Sequence, residues 1–198
     1  MAYQEQTFDL PELQGISQKQ LDVHLKLYAG YVKNLNTLET TLADLMKDSE
    51  KNAYALSEVK RRLAFEFDGM RMHEYYFAQW ENRSTSLTAG GALEQSLARQ
   101  YGSVDAFLAQ FKAVGLMRGI GWTVLYFDPS AGVFHIAWVT DHELGQLAGL
   151  PIILAMDMWE HAFMVDYVPA DKTKYIDAFF ANLNFTVIEE RFSVVAKE

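Results

Sequence analysis

A carboxylate and an imidazole that could share one metal ion stand four residues apart near the C-terminal end of the chain. They are Asp157 and His161, in the segment Asp157-Met158-Trp159-Glu160-His161. In a helix this spacing places both side chains on one face, about 6 Å apart, within reach of a single cation. The pattern predicts a helix over about 159–167, and we interpret the pair as half of a metal site.

Two further histidines, His24 and His73, lie in long apolar patterns upstream. A lone buried histidine is more often a hydrogen-bonded core residue than a metal ligand. Three imidazoles and a carboxylate buried together without a cation, however, would leave several polar groups unpaired. The joint occurrence of these residues with Asp157 and His161 therefore favours one shared metal ion.

Composition narrows the chemistry further. The 198 residues contain no cysteine, which excludes disulfides, zinc fingers, iron-sulfur clusters and thiol nucleophiles, so any metal must be bound through nitrogen and oxygen. The net charge of -9 argues against nucleic acid as a partner. The only prominent basic cluster, Lys60-Arg61-Arg62, is interpreted as the solvated outside of a helix.

Targeting signals are not evident in the sequence. No run of 18 apolar residues is long enough to span a bilayer, and the N-terminus lacks the basic start and apolar centre of a signal peptide. We expect a cytoplasmic protein without a membrane partner.

Apolar periodicity organises the chain into two lobes. The first lobe, residues 1–86, is predicted to be an antiparallel hairpin of two long helices, at about 17–47 and 53–80, joined by a polar turn at 47–51. A Ser-, Thr- and Gly-rich linker at 82–91 leads to the second lobe, residues 87–198. This lobe should contain helices at about 92–101, 104–117, 172–183 and 185–195, and β-rich or apolar runs at 122–127, 133–140 and 150–156. The fold class is α+β, with a small three-stranded antiparallel sheet in the C-terminal α/β lobe.

Several motifs along the chain resemble those of one family. The segment from Asp157 to Phe163 reads D-M-W-E-H-A-F, and it is joined by Y-V-K-N-L-N at 31–36, G-I-G-W at 119–122, N-F at 184–185 and E-R-F at 190–192. Over nearly its whole length the chain resembles the iron/manganese superoxide dismutases. The resemblance implies disproportionation of superoxide at one iron or manganese ion per subunit, in a homodimer, with a tetramer as the alternative assembly.

The resemblance also implies roles for individual residues. The metal ligands would be His24, His73, Asp157 and His161, with solvent as the fifth ligand. Tyr31 would be the gate tyrosine, with Tyr28 as the competing candidate. Trp122 and Trp159, together with Tyr76 and Phe77, would form an aromatic wall. Glu160 would bond His161 of the partner subunit.

The chain departs from the family pattern around the implied metal. Most relatives have a glutamine that tunes the bound solvent, but Gly69 occupies one of its two usual places. His142, fifteen residues before Asp157, stands in the other region and is the expected partner of the solvent, with Asp141 as the alternative. In the first helix one residue is missing between His24 and Tyr31, and Tyr28 replaces the usual gate histidine.

Two questions follow from this interpretation. The net charge of -9 would repel an anionic substrate, so we expect a local positive funnel built from Lys26, Lys33, Arg71 and Arg191. Two other functions remain open: a catalytically inactive, superoxide-dismutase-like structural or metal-binding protein, and a mononuclear iron enzyme that uses dioxygen.

Overall fold

The computed structural model describes residues 2–196 and begins with two long helices. Helix α1 is Gln18–Leu45 and helix α2 is Ala53–Ala78, joined through a short 3₁₀ turn at Met46–Asp48. Ser17 caps α1, because its hydroxyl accepts a hydrogen bond from the backbone N–H of Gln20. The two helices pack along each other, which confirms the predicted helical hairpin.

The remaining elements form a mixed α and β region. After the hairpin the chain forms α3 (Ala92–Tyr101), α4 (Val104–Gly115), β1 (Gly121–Asp128), β2 (Val133–Thr140), β3 (Ile152–Asp157), α5 (Lys172–Ala181) and α6 (Phe185–Val195). The strands form one antiparallel sheet in the order β2-β1-β3. The α+β fold with a three-stranded sheet is therefore confirmed.

The central strand brings the second half of the chain to the predicted ligands. Seven of the eight residues of β1 are buried, as expected for a strand flanked on both sides. Its register pairs Trp122 with Val139 on one side and with Asp157 on the other. The strand begins at Gly121, where φ is +142° and a Cβ atom would lie 2.0 Å from the Val139 carbonyl oxygen, so only glycine fits.

The predicted linker at 82–91 is irregular but firmly attached. The backbone N–H of Thr85 donates to the carbonyl of Leu183 over 3.1 Å, and its hydroxyl donates to Asn184 Oδ1 over 2.9 Å. Asn82 is held through its N–H to the carbonyl of Asp9 at 2.9 Å. The Thr85 bonds connect the segment to the junction of α5 and α6, and the Asn82 bond connects it to the residues that precede α1. The lobe boundary between residues 86 and 87 stays a prediction.

The predicted helix over 159–167 is wrong. The chain leaves β3 at Asp157, passes through an extended Trp159 and forms only a 3₁₀ turn at Glu160–Ala162. A local hydrogen bond explains this, because Asp157 Oδ1 accepts from the Trp159 N–H over 2.8 Å and competes with helix formation. Asp157 and His161 therefore meet across a turn and not on a helix face.

A single apolar core joins the elements. It includes residues from the helical hairpin, the sheet and α5, such as Tyr76, Trp122 and Phe179, all with less than 1 % of their surface exposed. Within residues 2–196, none of the helices has the length and apolar character needed to span a membrane.

Candidate metal centre

Three histidines converge on one carboxylate oxygen. The Nε2 atoms of His24, His161 and His73 lie 3.0, 3.1 and 3.5 Å from Asp157 Oδ2. One ligand atom from each of the four residues lies within 4.8 Å of all the others. The structure thus brings together the four residues that the sequence predicted as ligands, although they come from positions up to 137 apart by sequence number (161 − 24).

Four different elements supply these side chains. His24 lies on α1, His73 on α2, Asp157 at the end of β3 and His161 in the 3₁₀ turn. The side chains of His73 and Asp157 are fully buried, whereas His161 retains 20 % of its surface. The centre therefore lies under the seam between the hairpin and the sheet, and approaches the surface at His161.

Hydrogen bonds fix which nitrogen of His73 faces the cluster. Its Nδ1 lies 2.5 Å from the carbonyl oxygen of Gly69, which can only accept, so Nδ1 carries the proton. The lone pair on Nε2 then points to the cluster, where this buried atom has no hydrogen-bond partner among residues 2–196. A buried, unpaired acceptor is costly unless a cation binds it.

The charges at the centre also suit a cation. Burial alone would raise the pKa of Asp157, but the adjacent imidazoles of His161 and His24 hold it far below its usual range. Burial lowers the pKa of both His24 and His73. The cluster therefore holds an ionised carboxylate beside the neutral imidazoles of His24 and His73, the protonation state that a metal ion requires of these ligands.

Three polar residues that hold the ligands were missed by the sequence interpretation. Gln20 is buried and donates from Nε2 to the carbonyl of His161 over 2.6 Å, and its Oε1 accepts from the Val165 N–H. The Tyr175 hydroxyl donates to the Asp157 carbonyl over 2.6 Å. Gln79 forms two hydrogen bonds with the backbone of Ala155 in β3. Gln20 and Tyr175 are single polar residues within amphipathic helices and Gln79 directly follows one, so their sequence positions carry no separate signal.

His142 is fully buried beside the cluster and forms two side-chain hydrogen bonds. Trp122 Nε1 donates to His142 Nδ1 over 3.0 Å, and His142 Nε2 lies 2.7 Å from the Tyr31 hydroxyl oxygen. Burial lowers the pKa of His142 to about 4, so the ring is neutral at neutral pH. An indole N–H can only donate, so the single ring proton is on Nε2 and is donated to Tyr31.

The two candidate gate tyrosines have different surroundings. The Tyr31 ring lies 5.2 Å from that of His73 and 4.8 Å from that of His142. The hydroxyl of Tyr28 instead accepts from the Gln6 N–H over 2.9 Å and donates to Glu74 over 3.2 Å. The hydroxyl beside His142 therefore belongs to Tyr31.

The other predicted site residues also have defined positions. The Trp159 ring stacks on His142 at 5.0 Å and on His161 at 5.5 Å, and its N–H donates to the Asp141 carbonyl. The His24 ring is flanked by those of Tyr76 and Phe77, at 5.1 and 4.9 Å. The Glu160 side chain is exposed.

The structure places two of the four residues of the predicted positive funnel elsewhere. Arg71 and Arg191 line a different cavity, with Gln6, Glu74 and Tyr75. There Arg71 pairs with Glu74 at 2.8 Å, while Arg191 donates to the carbonyl of Tyr75 over 2.9 Å. Both arginines are thus bound to groups outside the four-residue cluster.

Comparison with known proteins gives a consistent result. The family described as iron/manganese superoxide dismutases, C-terminal domain, matches residues 89–191. A superoxide dismutase [Fe] of Cupriavidus metallidurans is 33% identical over 190 residues, covering 94% of this chain and 93% of the relative.

Relatives named for each of the two metals are found. A superoxide dismutase [Fe] of Sulfolobus acidocaldarius is 34% identical, covering 89% of this chain and 85% of the relative. A superoxide dismutase [Mn] of Mycolicibacterium smegmatis is 31% identical, covering 88% and 83%. With the family match, the near-complete coverage and the four-residue cluster together, the chain belongs to the iron/manganese superoxide dismutase family.

Proposed function

We propose that this protein is a superoxide dismutase that holds one iron or manganese ion per subunit through His24, His73, Asp157 and His161. The observation that carries the proposal is the convergence of three imidazole nitrogens on Asp157 Oδ2, with the buried Nε2 of His73 unpaired. Three nitrogens, one oxygen and no sulfur suit either metal. When bound, such an ion supplies one-electron oxidation and reduction.

The overall reaction needs protons as well as electrons. Two superoxide anions and two protons give one dioxygen and one hydrogen peroxide, so one anion loses an electron and the other gains it. Tyr31 is placed to take part in the proton supply. Its hydroxyl oxygen accepts from His142, so its own proton remains available for donation into the site.

His142 and Trp122 position that hydroxyl. Trp122 fixes the tautomer of His142, and His142 in turn fixes the orientation of Tyr31. A solvent molecule bonded by His142, as the family resemblance implies, would share the same Nε2 proton. We propose that the three residues act as one hydrogen-bonded unit, and that Trp159 excludes water from the opposite side of His142.

A homodimer through the surface around Glu160 completes the proposal. Several exposed apolar side chains lie near the 3₁₀ turn, among them Leu116, Met117, Met164, Val165 and Val168. Such a concentration is typical of an interaction surface. In a two-fold arrangement each subunit presents the same patch, so Glu160 could reach the partially exposed His161 of the partner subunit.

Sedimentation of the wild type and of Met164→Arg tests this arrangement. We expect a dimer for the wild type and a shift towards monomer for the variant, because a buried unpaired charge opposes association. A wild-type chain that sediments as a monomer at micromolar concentration would exclude it. A tetramer and the cytoplasmic location stay predictions from the sequence.

The activity itself is tested by loading the protein separately with iron and manganese and measuring superoxide consumption and metal content. At least one form should consume superoxide, and His161→Gln should lose both metal and activity. His135 is the matched control, because it lies exposed on β2 outside the cluster, and His135→Gln should change neither. Full metal occupancy without activity in both forms would favour the inactive, superoxide-dismutase-like alternative.

A further inference from the structure

An ion pair on α2 lies next to the Tyr31 and His142 side chains. Arg62 donates from Nε and from one terminal nitrogen to the same oxygen of Glu66, Oε1, over 2.9 and 2.8 Å. The side chain of Glu66 is only 5 % exposed, whereas that of Arg62 is 53 % exposed. The arginine that the sequence interpretation assigned to a merely solvated surface is therefore bound to a buried carboxylate.

One aromatic ring connects this pair to the centre. The guanidinium carbon of Arg62 lies 3.7 Å from the ring centroid of Phe65. The same ring lies edge-on 4.7 Å from His142 and 6.0 Å from Tyr31. Arg62 therefore stands on the outer, solvent-facing side of Phe65, with His142 and Tyr31 on the inner side.

Glu66 is a buried carboxylate with only one of its two oxygens hydrogen-bonded. Its second oxygen, Oε2, is buried and has no hydrogen-bond partner among residues 2–196. Both hydrogen bonds from Arg62 go to the other oxygen, so the guanidinium compensates the charge without covering this atom. A carboxylate so poorly solvated acts over a longer range than an exposed one, because little water screens it.

The neighbouring basic residues do not compensate Glu66. Arg61 is 77 % exposed and pairs with Glu58, one turn earlier on the outer face of α2. Lys26 and Lys33 are exposed on α1, and neither forms an ion pair within the described residues. With a net charge of -9 on the whole chain, Arg62 is therefore the cation that balances Glu66 beside Phe65.

We propose that Arg62 controls the access of superoxide to the centre by neutralising Glu66, and that without it the carboxylate repels the incoming anion. The inference rests on the proposed function for the identity of the substrate. Arg62 acts on the approach of the anion and has no part in binding the metal.

Charge-changing variants test this with the packing kept. Arg62→Met retains an apolar stem against Phe65 but removes the charge, and it should lower kcat/KM for superoxide roughly threefold to tenfold at low ionic strength. The loss should shrink at about 1 M salt, where the screening length is about 3 Å. Arg62→Lys and the double variant Arg62→Met/Glu66→Gln should both stay within about twofold of the wild type, since each restores a balanced charge.

Arg61→Met is the matched control, because it removes the same charge from the preceding residue and leaves Glu66 paired with Arg62. It should lower kcat/KM by less than about twofold. If Arg61→Met and Arg62→Met lowered kcat/KM equally, the change in net charge alone would explain the effect, and the proposal would be overturned. A double variant as slow as Arg62→Met would also overturn it, because the loss would then come from packing.

Azide affinity gives a second readout that needs no turnover. This small monoanion should bind the oxidised, metal-loaded protein more weakly in Arg62→Met and with wild-type affinity in the double variant. If the wild type consumes no superoxide but azide follows this order, the proposed function fails while the inference on anion access holds. If all the variants bind azide alike, the inference fails whatever the activity.

Discussion

The ring of Tyr31 occupies the space in which a side chain at position 69 would stand. A Cβ atom on Gly69 would lie 2.5 Å from Tyr31 Cδ1 and 2.7 Å from Cε1. Many relatives are expected to have a glutamine at this place, which the position of Tyr31 excludes here. The missing glutamine and the position of Tyr31 are therefore one structural feature, and the tyrosine hydroxyl is hydrogen-bonded to His142.

Gly69→Ala should destabilise the protein although it replaces a glycine within a helix. The gain in helix propensity is about 1 kcal/mol, whereas overpacking a closed site typically costs about 1–3 kcal/mol. We expect a lower free energy of unfolding in urea. Gly30→Ala on α1 is the control, because nothing lies within 4 Å of its Cβ position, and it should stabilise the protein. If both variants are equally stabilised, Tyr31 does not occupy this space.

The two buried histidines His73 and His142 should carry their protons on different nitrogens. His73 donates from Nδ1 to a carbonyl, and His142 accepts at Nδ1 from Trp122. In metal-free protein, ¹⁵N spectra of labelled histidine should show an Nδ1–H tautomer for His73 and an Nε2–H tautomer for His142. Trp122→Phe should remove the tautomer preference of His142 and leave that of His73 unchanged. An Nδ1–H signal from His142 in the wild type would contradict the proposed hydrogen-bonded unit.

Metal binding should depend on the single carboxylate of the cluster. Asp157→Asn keeps the shape and the bond from the Trp159 N–H but removes the charge shared by three imidazoles. Saturating metal should stabilise the wild type by about 4 kcal/mol at a concentration a thousandfold above Kd, and the variant by much less. Thermal unfolding with and without metal measures the difference. Asp177→Asn, at an exposed carboxylate paired with Lys112, should respond to metal as the wild type does.

Asp68 should make stability depend on pH in the weakly acidic range. Burial, with a further contribution from Glu143, raises its pKa from 3.8 to about 6. Between these values the folded state binds a proton that the unfolded state has lost, so the stability due to the neutral carboxyl is present at low pH and is lost as the pH rises through 6.

Asp68→Asn should therefore raise Tm at pH 8 and leave it unchanged near pH 3.5. Because the group is partly exposed, we expect a gain on the order of 1 kcal/mol, or about 2–4 °C. Asp22→Asn removes the same charge from an exposed position on α1 and should not reproduce this pH trend. A stabilisation by Asp68→Asn that is equal at both pH values would contradict the assigned pKa.

The sequence by itself determined most of the element types and pointed to the four residues of the cluster. Apolar periodicity predicted α1, α2, the sheet and the C-terminal helices, because an apolar stripe with helical or strand spacing is compatible with few other secondary structures. The helix at 159–167 was wrong because a side-chain hydrogen bond of Asp157 outweighs the local preference. The four candidate ligands could be proposed from the sequence because three buried histidines and a buried carboxylate need polar partners, and one shared cation would satisfy all of them.

Only the tertiary structure decided which polar residues contact or neighbour the cluster. Gln20, Tyr175 and Arg62 look like ordinary polar positions of amphipathic helices, and their partners are supplied by distant or buried parts of the chain. The sequence likewise left Tyr28 and Tyr31 as competing candidates, which packing against Gly69 and His142 separates. The spacing of residues in the sequence indicates on which face of a helix or strand a residue lies. The packing of these elements determines which residues that face contacts.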